Sequence, residues 1–559
     1  SAGLQPLATL LAKISSAKNQ DDITRLMAQT GFPSVIGTMV LPDPQHPGQY
    51  TLALGQDGLG LPDRDYYLTN DAPYPAHREA YQNYIASVLR RAGNANPEQQ
   101  ATKIMAFETR IAEAHWTASE SRNVVKLFHA MPLEELKNYA PGFDWNLFLT
   151  TTGAGNQESY IVANDTALQK IAALFSDTPV STLQVYSQFH LLNNFAPYLG
   201  SDWEQAHFAF FSTQLKGIKQ PRSKQKRALA LLNQMLSEEL GKAYVKAYFP
   251  ESSKEKMQTM IGFIRQSFDQ HIRSNDWMDE TTRKAAYEKL HAFGVKIAYP
   301  DQWHDRSSIS LSNSDLPGNL LAIMTWLQQD SIEKLNGEYR DWEWEMSPQT
   351  VNAYYTAMKN EIVFPAAILQ PPFFDPNADP AVNFGSIGMV IGHEMGHGFD
   401  DQGSRFDAHG QLRNWWTDSA RIAFDEKANE LEEQYNQYSP IPGVFVNGQL
   451  TLGENIGDMT GISIAWTAWK KYEEAHYPEG SPVLDGYTGD QRFFMGFAQL
   501  WRSLKTDEIT RQLALSDNHS PGEFRVNGIL RNFSPWYQTY SVRPDQALYL
   551  NPENRIRIW

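Results

Sequence analysis

The sequence predicts a mainly α-helical protein with a small β component, divided into at least two structural units. Three observations lead there. The chain has 559 residues, more than one hydrophobic core usually holds. Its 42% hydrophobic and 12% aromatic content is that of a folded globular protein with room for a sizeable cavity as well as cores. Helical spacing dominates the first half, whereas strand-like patterning is confined to a short stretch after residue 346.

The elements follow in chain order. In "HREAYQNYIASVLRRAG", Tyr81, Tyr84, Ile85, Val88 and Leu89 recur at helical spacing. Arg90 and Arg91 suit a last turn and Gly93 a C-cap. "SKQKRALALLNQMLSEELGKAYVKAYFP" (223–250) reads as a second long helix, ended by Pro250. The basic run just before it, "PRSKQKR", reads as a solvated helix start rather than a binding patch. "TVNAYYTAMKNEIVFPA" sets β-prone residues on either side of a polar Lys-Asn pair, which predicts two short strands joined by a turn. A proline-rich loop, "LQPPFFDPNADP", then leads into the glycine-rich "NFGSIGMVIGHEMGHGFDDQG". The expected division is a helical unit over 1–270, with connecting helices at its end, and a mixed unit over 271–559.

Composition excludes several functions. A formal charge of −16 argues against nucleic acid, whose phosphates need clustered Lys and Arg. With no cysteine, disulfides, thiolate-bound metals and thiol nucleophiles are ruled out. No segment reaches the roughly 18–20 uninterrupted apolar residues that span a bilayer. The most apolar stretch, Ile362 to Phe374, is broken by three prolines. The opening "SAGLQPLATLLAKI" lacks the basic region and long apolar core of a signal peptide, so the expectation is a soluble chain that starts at a processing or truncation point.

The chemistry concentrates in three segments. In "GMVIGHEMGHGFDDQG", a helix puts Met389, His393 and His397 on one face, so two imidazoles can meet one metal ion with Glu394 beside it. Gly388, Gly392 and Gly396 form an adjacent stripe. Each weakens a helix by about 1 kcal/mol relative to Ala, which points to another backbone packed very close. In "LTLGENIGDMTGISIAW", Glu454 and Asp458 are again four apart, at the opening of a second helix. Glu454 as third ligand makes a His2Glu site with one open position, the arrangement of catalytic zinc; read alone, it is more often a surface carboxylate. Asp458 and Asp400 can each receive the other N–H of a ligand histidine. In "SDNHSPGEFRVNG", His519 suits donation to a developing oxyanion and Arg525 a forked grip on a substrate carbonyl, with Asp517 fixing the imidazole tautomer. On pattern alone such a loop His and Arg are usually just solvated.

These three segments, with "GLGLPDRDYYL", "WMDETTRKAAYEKL", "VNAYYTAMKNEIVFPAAILQPPFF" and the final "RIW", occur in an order that resembles the neprilysin and endothelin-converting-enzyme family of zinc endopeptidases. The resemblance covers most of the chain. It implies a two-lobed zinc metallopeptidase: a thermolysin-like catalytic half (271–559) and a helical lid half (1–270) around a large internal cavity that admits oligopeptides and excludes folded proteins. It also implies His393, His397 and Glu454 as ligands of one zinc ion per chain. Glu394 is then the general base, and His519 and Asp458 complete the catalytic set, with Asp400, Asp458 and Asp517 behind them. Arg525 binds a substrate carbonyl, and Asn352 and Ala353 align the peptide along an edge strand. Ile368, Phe373, Met389, Val390 and Trp501 form the hydrophobic pocket for the residue after the cut. Without the resemblance these apolar residues read as ordinary core.

The activity implied is cleavage of internal bonds of short peptides on the amino side of hydrophobic residues. The competing readings are a protein that keeps zinc and binds peptides or a partner without cutting, and an aminopeptidase, which would need an acidic cluster near a G-x-M-x-N loop that the sequence lacks. Two departures stand out. Ile556 occupies a position where the family carries a cysteine, so stability must come from packing. Family ectodomains also begin with a segment ahead of the matching part, so a separate N-terminal fragment of the same precursor is an expected partner. A bacterial periplasmic or secreted setting is expected, with the cytoplasm as the alternative.

Overall fold

The computed structural model describes residues 3–559. The helical spacing around Tyr81 becomes α1 (Tyr74–Arg91), with Tyr81, Tyr84, Ile85, Val88 and Leu89 all buried. Gly93 takes a left-handed φ of 85° just past its end, the conformation that releases the chain from the helix. α1 packs against α2 (Pro97–Ala114), which Pro97 opens at the position where a missing N–H is harmless. The same lobe holds a four-stranded sheet. β1 (Ile36–Pro42) and β2 (Tyr50–Gln56) are antiparallel, β3 (Ala130–Met131) pairs antiparallel with β4 (Tyr160–Val162), and β2 and β4 are parallel neighbours. β1 is therefore an edge strand.

The run at 223–250 forms two helices rather than one. α3 (Lys224–Met235) and α4 (Ser237–Tyr248) are broken at Leu236, whose φ of −132° is not helical. Ser237 followed by Glu238 and Glu239 is itself a helix start, since acidic residues favour the positive end of the helix dipole. Both glutamates are also engaged elsewhere: Glu238 accepts from the backbone N–H of His304 at 3.0 Å and Glu239 from Arg306 at 2.8 Å. Pro221 to Lys226 are exposed, as a solvated helix start requires.

In the second lobe β5 (Gly294–Ala298) runs parallel to β7 (Glu361–Pro365), and β6 (Tyr354–Thr356) pairs antiparallel on its other side. The strand pair foreseen around Lys359-Asn360 is thus β6 and β7, with Asn360 at a left-handed φ of 49° in the turn. β6 is an edge. It faces a cavity of about 870 Å³ that also meets β1, so the two lobes contribute one free strand edge each to the same space.

Two hydrophobic cores account for the lobes. The first runs from Leu7 to Leu215 and then takes in Leu320 and Leu335 of α5 (Leu316–Leu335). The second begins at Met257, breaks off at Ala298 and resumes from Ala353 to Trp559. The cores therefore do not divide the chain at a single point near residue 270, because α5 returns to the first lobe.

The second core is built around α6 (Met389–His397) and α7 (Gly448–His476). Glycine makes their contact possible. A Cβ on Gly392 would sit 2.9 Å from Gly461 Cα, and one on Gly461 would sit 2.5 Å from Met389 O. Gly396 lies against Thr460 in the same way. Gly388 does not share this role, its nearest neighbour being 3.4 Å away. At the C-terminus, Ile556, Ile558 and Trp559 are buried, and the Trp559 ring packs on Phe268, Trp277 and Phe399. Side-chain packing holds this end, since the chain has no cysteine. Among the described residues no helix is long and apolar enough to cross a membrane.

Candidate active site

The close approach of α6 and α7 brings His393, His397 and Glu454 together. Glu454 Oε2 lies 3.2 Å from His393 Nε2 and 3.6 Å from His397 Nε2. His519 Nε2 is 3.4 Å from the same oxygen. Glu454 Oε2 is buried, yet none of these contacts is aligned as a hydrogen bond. Nitrogen and oxygen lone pairs converging on a shared point give this arrangement. Ligands about 2.0–2.1 Å from a tetrahedral zinc are separated by about 3.3–3.4 Å, which the 3.2 and 3.6 Å separations from Glu454 bracket. The donor set therefore fits a zinc ion.

Each imidazole is oriented from behind. His397 Nδ1 is 2.8 Å from Asp400 Oδ2, and Asp400 Oδ1 accepts from the backbone N–H groups of Gln402 and Gly403. His393 Nδ1 is 2.8 Å from Asp458 Oδ1, in ion-pair range but off the line of a good hydrogen bond. Asp458 is fully buried, and Arg525 donates to it through Nε at 2.8 Å and Nη2 at 2.7 Å. The Arg525 guanidinium also lies over the Trp501 ring, 3.8 Å from its centre. Two donors of the arginine fork are thus already used within the protein.

The electrostatics follow burial and these partners. Burial opposes charge on both histidines, but the surrounding carboxylates outweigh it and raise His393 and His397 above the usual imidazole range. Burial works against Glu454 as well, and the imidazoles hold it well below the usual carboxylate range. Glu394, within 4.8 Å of the ligand atoms of His393 and His397, goes the other way: burial raises it. One carboxylate is fixed as an anion and its neighbour is poised to take a proton.

His519 and Asp517 meet as expected, with Nδ1 2.8 Å from Asp517 Oδ1, and His519 stays largely exposed. They border a cavity of about 260 Å³ lined also by Val446, Leu500, Trp501, Leu513 and Arg525. Trp501 is the only one of the five proposed pocket residues on that lining. Ile368, Met389 and Val390 lie in the second core, and Phe373 is half-buried against it. Asn352 is exposed and Ala353 buried immediately before the edge strand β6, which packs against α6.

Three participants escaped the sequence reading. Asn518 donates to Glu454 Oε1 at 3.2 Å; its place beside His519 was the available signal. Ser520 donates to Asn455, which donates on to Thr451, tying the His519 loop to α7. Arg122, from the first lobe, donates to Asp401 at 3.1 Å and to the carbonyl of Gln449 at 2.7 Å, and no local pattern announces it.

Two histidines one helical turn apart, each backed by a buried carboxylate and both facing a third, define the site of a zinc metalloendopeptidase on a two-lobed, mainly helical fold. The models of peptidase family M13 match residues 1–300 and 352–556, and the chain belongs to that family. It is 35% identical over 536 residues to Neprilysin-11 of Caenorhabditis elegans, covering 91% of this chain and 62% of that protein. It is 32% identical over 554 residues to human endothelin-converting enzyme 1, covering 97% and 71%. Among solved structures, the inhibitor complex of Mycobacterium tuberculosis zinc metalloprotease Zmp1 superposes with a TM-score of 0.95 at 37% identity, over 100% of this chain and 86% of that one. The same enzyme in its open state, covering 100% and 88%, gives a TM-score of 0.71.

Proposed function

We propose that the protein hydrolyses internal bonds of short peptides on the amino side of hydrophobic residues. In this reading His393, His397 and Glu454 hold one zinc ion per chain. The observation that carries it is the unpartnered, buried Glu454 Oε2 at tetrahedral-edge distances from two imidazoles that are each oriented by a carboxylate. The ion, when bound, polarises the scissile carbonyl and acidifies water.

The chain's own groups do the rest. Glu394, raised by burial, accepts the water's proton and returns it to the leaving amine. Asp517 holds His519 through Nδ1, so the ring turns Nε2 toward the oxygen on which negative charge develops. Arg525, clamped by Asp458 and Trp501, offers its remaining N–H groups to a substrate carbonyl. Asn352 and Ala353 align the peptide along β6. Trp501 and Leu500, beside the 260 Å³ cavity, support the hydrophobic preference after the cut. Ile368, Phe373, Met389 and Val390 contribute to it from the core behind.

The test is a digest of mixed short peptides plus one folded protein, read by mass spectrometry with and without a zinc chelator, using wild type and Glu394→Gln. Expected are chelator-sensitive internal cuts before hydrophobic residues, an intact folded protein, and zinc still bound to the variant, with turnover reduced by about 10²–10⁴-fold. A zinc-loaded wild type that binds peptides without cutting them would favour the binding-protein reading. Cuts dominated by charged residues after the scissile bond would overturn the specificity. An exported location also belongs to this reading, and cell fractionation tests it.

A further inference from the structure

We infer that Arg122 is a positioning residue through which the first lobe completes the metal site of the second; this rests on the zinc-hydrolase reading above. Arg122 ends a single 3-10 turn, Glu120–Arg122, in the lobe that contains none of the proposed ligands. Its guanidinium crosses the interface. Nη2 reaches Asp401 and Nη1 the carbonyl of Gln449, and only 17% of the side chain stays exposed.

Those two acceptors belong to both halves of the site. Asp401 follows Asp400, the carboxylate behind His397. Gln449 lies in the first turn of α7, less than two turns before Glu454. One cation thus binds the loop after α6 to the start of α7. Gly453 records how tightly it is held: a Cβ there would lie 2.6 Å from Arg122 Nη2 and 3.1 Å from Asp400 Oδ2. Asp400 is buried and its neighbour Asp401 keeps 13% of its side chain exposed, and Arg122 is the cation that faces them from the other lobe.

Neighbouring contacts run the same way. Asn447 donates to Ser119 at 2.9 Å, and Gln402, next to Asp401, accepts from the backbone N–H of Val124 at 3.0 Å. The segment 119–124 therefore docks as a unit, with Arg122 its only charged contact on the site. Lobe separation withdraws the cation from Asp401 and releases Gln449. Closure over a peptide and completion of the metal site become one event, since the group that tightens the ligand helices arrives only with the closing lobe.

The experiment compares wild type, Arg122→Met, Arg122→Lys, Asp401→Asn and the Met/Asn double variant. It reads zinc content, kcat and KM on one short peptide, the rate of zinc removal by a chelator, and small-angle scattering. Arg122→Met is expected to bind one zinc and stay folded by circular dichroism, but to lose about tenfold in kcat, within the range of intersite coupling, with a smaller change in KM. It should release zinc faster and scatter as a more open particle. Arg122→Lys recovers part of kcat, because a point charge satisfies one acceptor but not both. Adding Asp401→Asn to Arg122→Met costs little more, because the partner is already lost. Wild-type kcat and scattering in Arg122→Met, or fully additive losses in the double variant, would overturn the inference. A wild type that neither binds zinc nor cuts peptides refutes the zinc-hydrolase reading instead, and is seen before any variant is made.

Discussion

Gly461→Ala should separate α6 from α7 and weaken zinc binding, although it replaces a helix-weakening residue with the best helix former. Ala gains about 1 kcal/mol of helix propensity over Gly. Against this, the new Cβ would lie 2.5 Å from Met389 O and 2.9 Å from His393 N, both backbone atoms of α6 that cannot rotate aside. Ordinary contact begins at 3.4 Å, so the helices must part by about 0.9 Å at the tighter point. Overpacking of this kind costs about 1–3 kcal/mol, enough to cancel or outweigh the propensity gain. The larger effect falls on the site. Glu454 and Asp458 ride on α7 and His393 on α6, so the same gap sets the 3.2 Å and 2.8 Å separations between them. Lengthening the second by about 0.9 Å takes the Asp458 carboxylate out of close contact with the imidazole it orients. Loss of such an orienting partner lowers metal affinity by about 10–100-fold. The assay is a competition titration against a chelating indicator, with thermal unfolding in the presence and absence of zinc. Gly388→Ala is the internal control, since its Cβ has room and should leave zinc affinity unchanged. Zinc affinity in Gly461→Ala within about twofold of wild type, or an equal loss in Gly388→Ala, would refute the packing argument.

Two further predictions concern charges outside the site. Lys289 is fully buried, and its ammonium donates to the carbonyls of Gly398, Gly403 and Phe406 at 2.6–2.8 Å. Lys289→Met removes the donor from the Gly398 and Phe406 carbonyls, while Gly403 keeps the Phe406 N–H, and should cost about 2 kcal/mol or more, measured by chemical denaturation; a loss below about 1 kcal/mol would contradict it. Burial would lower the His304 imidazolium, but hydrogen bonds to Glu238 and Glu343 and the charge of Asp330 raise it to about 9. Because the folded value exceeds the unfolded one, the stabilisation is complete below about pH 6.5 and fades as pH rises through about 9. Glu343, opposed by burial but held at about 2 by His304, Lys334 and Arg340, contributes above its unfolded range and loses that contribution as pH falls through about 2. The melting temperature of wild type should therefore fall between pH 7 and 9 more steeply than that of His304→Gln, and parallel profiles would remove His304 from the account.

The sequence was most informative where local spacing carries the geometry. Four-residue steps on helices put His393 with His397 and Glu454 with Asp458, and the glycines at 392 and 396 announced a close neighbour that proved to be α7. Asp400 was readable because it follows His397 by one turn. Spacing failed where a contact joins segments far apart in the chain. Arg122 meets Gln449 across 327 residues, and nothing around it marks it out. The break at Leu236 was hidden because 223–250 keeps helical spacing on both sides, and it takes Ser237 and the outward-directed glutamates to explain the new start. The apolar residues near the site were ambiguous for a related reason: Met389 and Val390 have the same composition and spacing whether they line a pocket or fill a core.

Because α5 rejoins the first lobe, the backbone passes between the lobes three times: between residues 215 and 257, between 298 and 320, and between 335 and 353. A single linker would leave the halves free to swivel and twist. Three side-by-side crossings act as a leaf hinge, stiff to torsion and compliant only in bending. Such a joint returns the free edges of β1 and β6 to the same mutual alignment at every closing stroke. It also means that no single cut in the gene can separate two self-sufficient halves, since at least one would lose elements of its own core to the other.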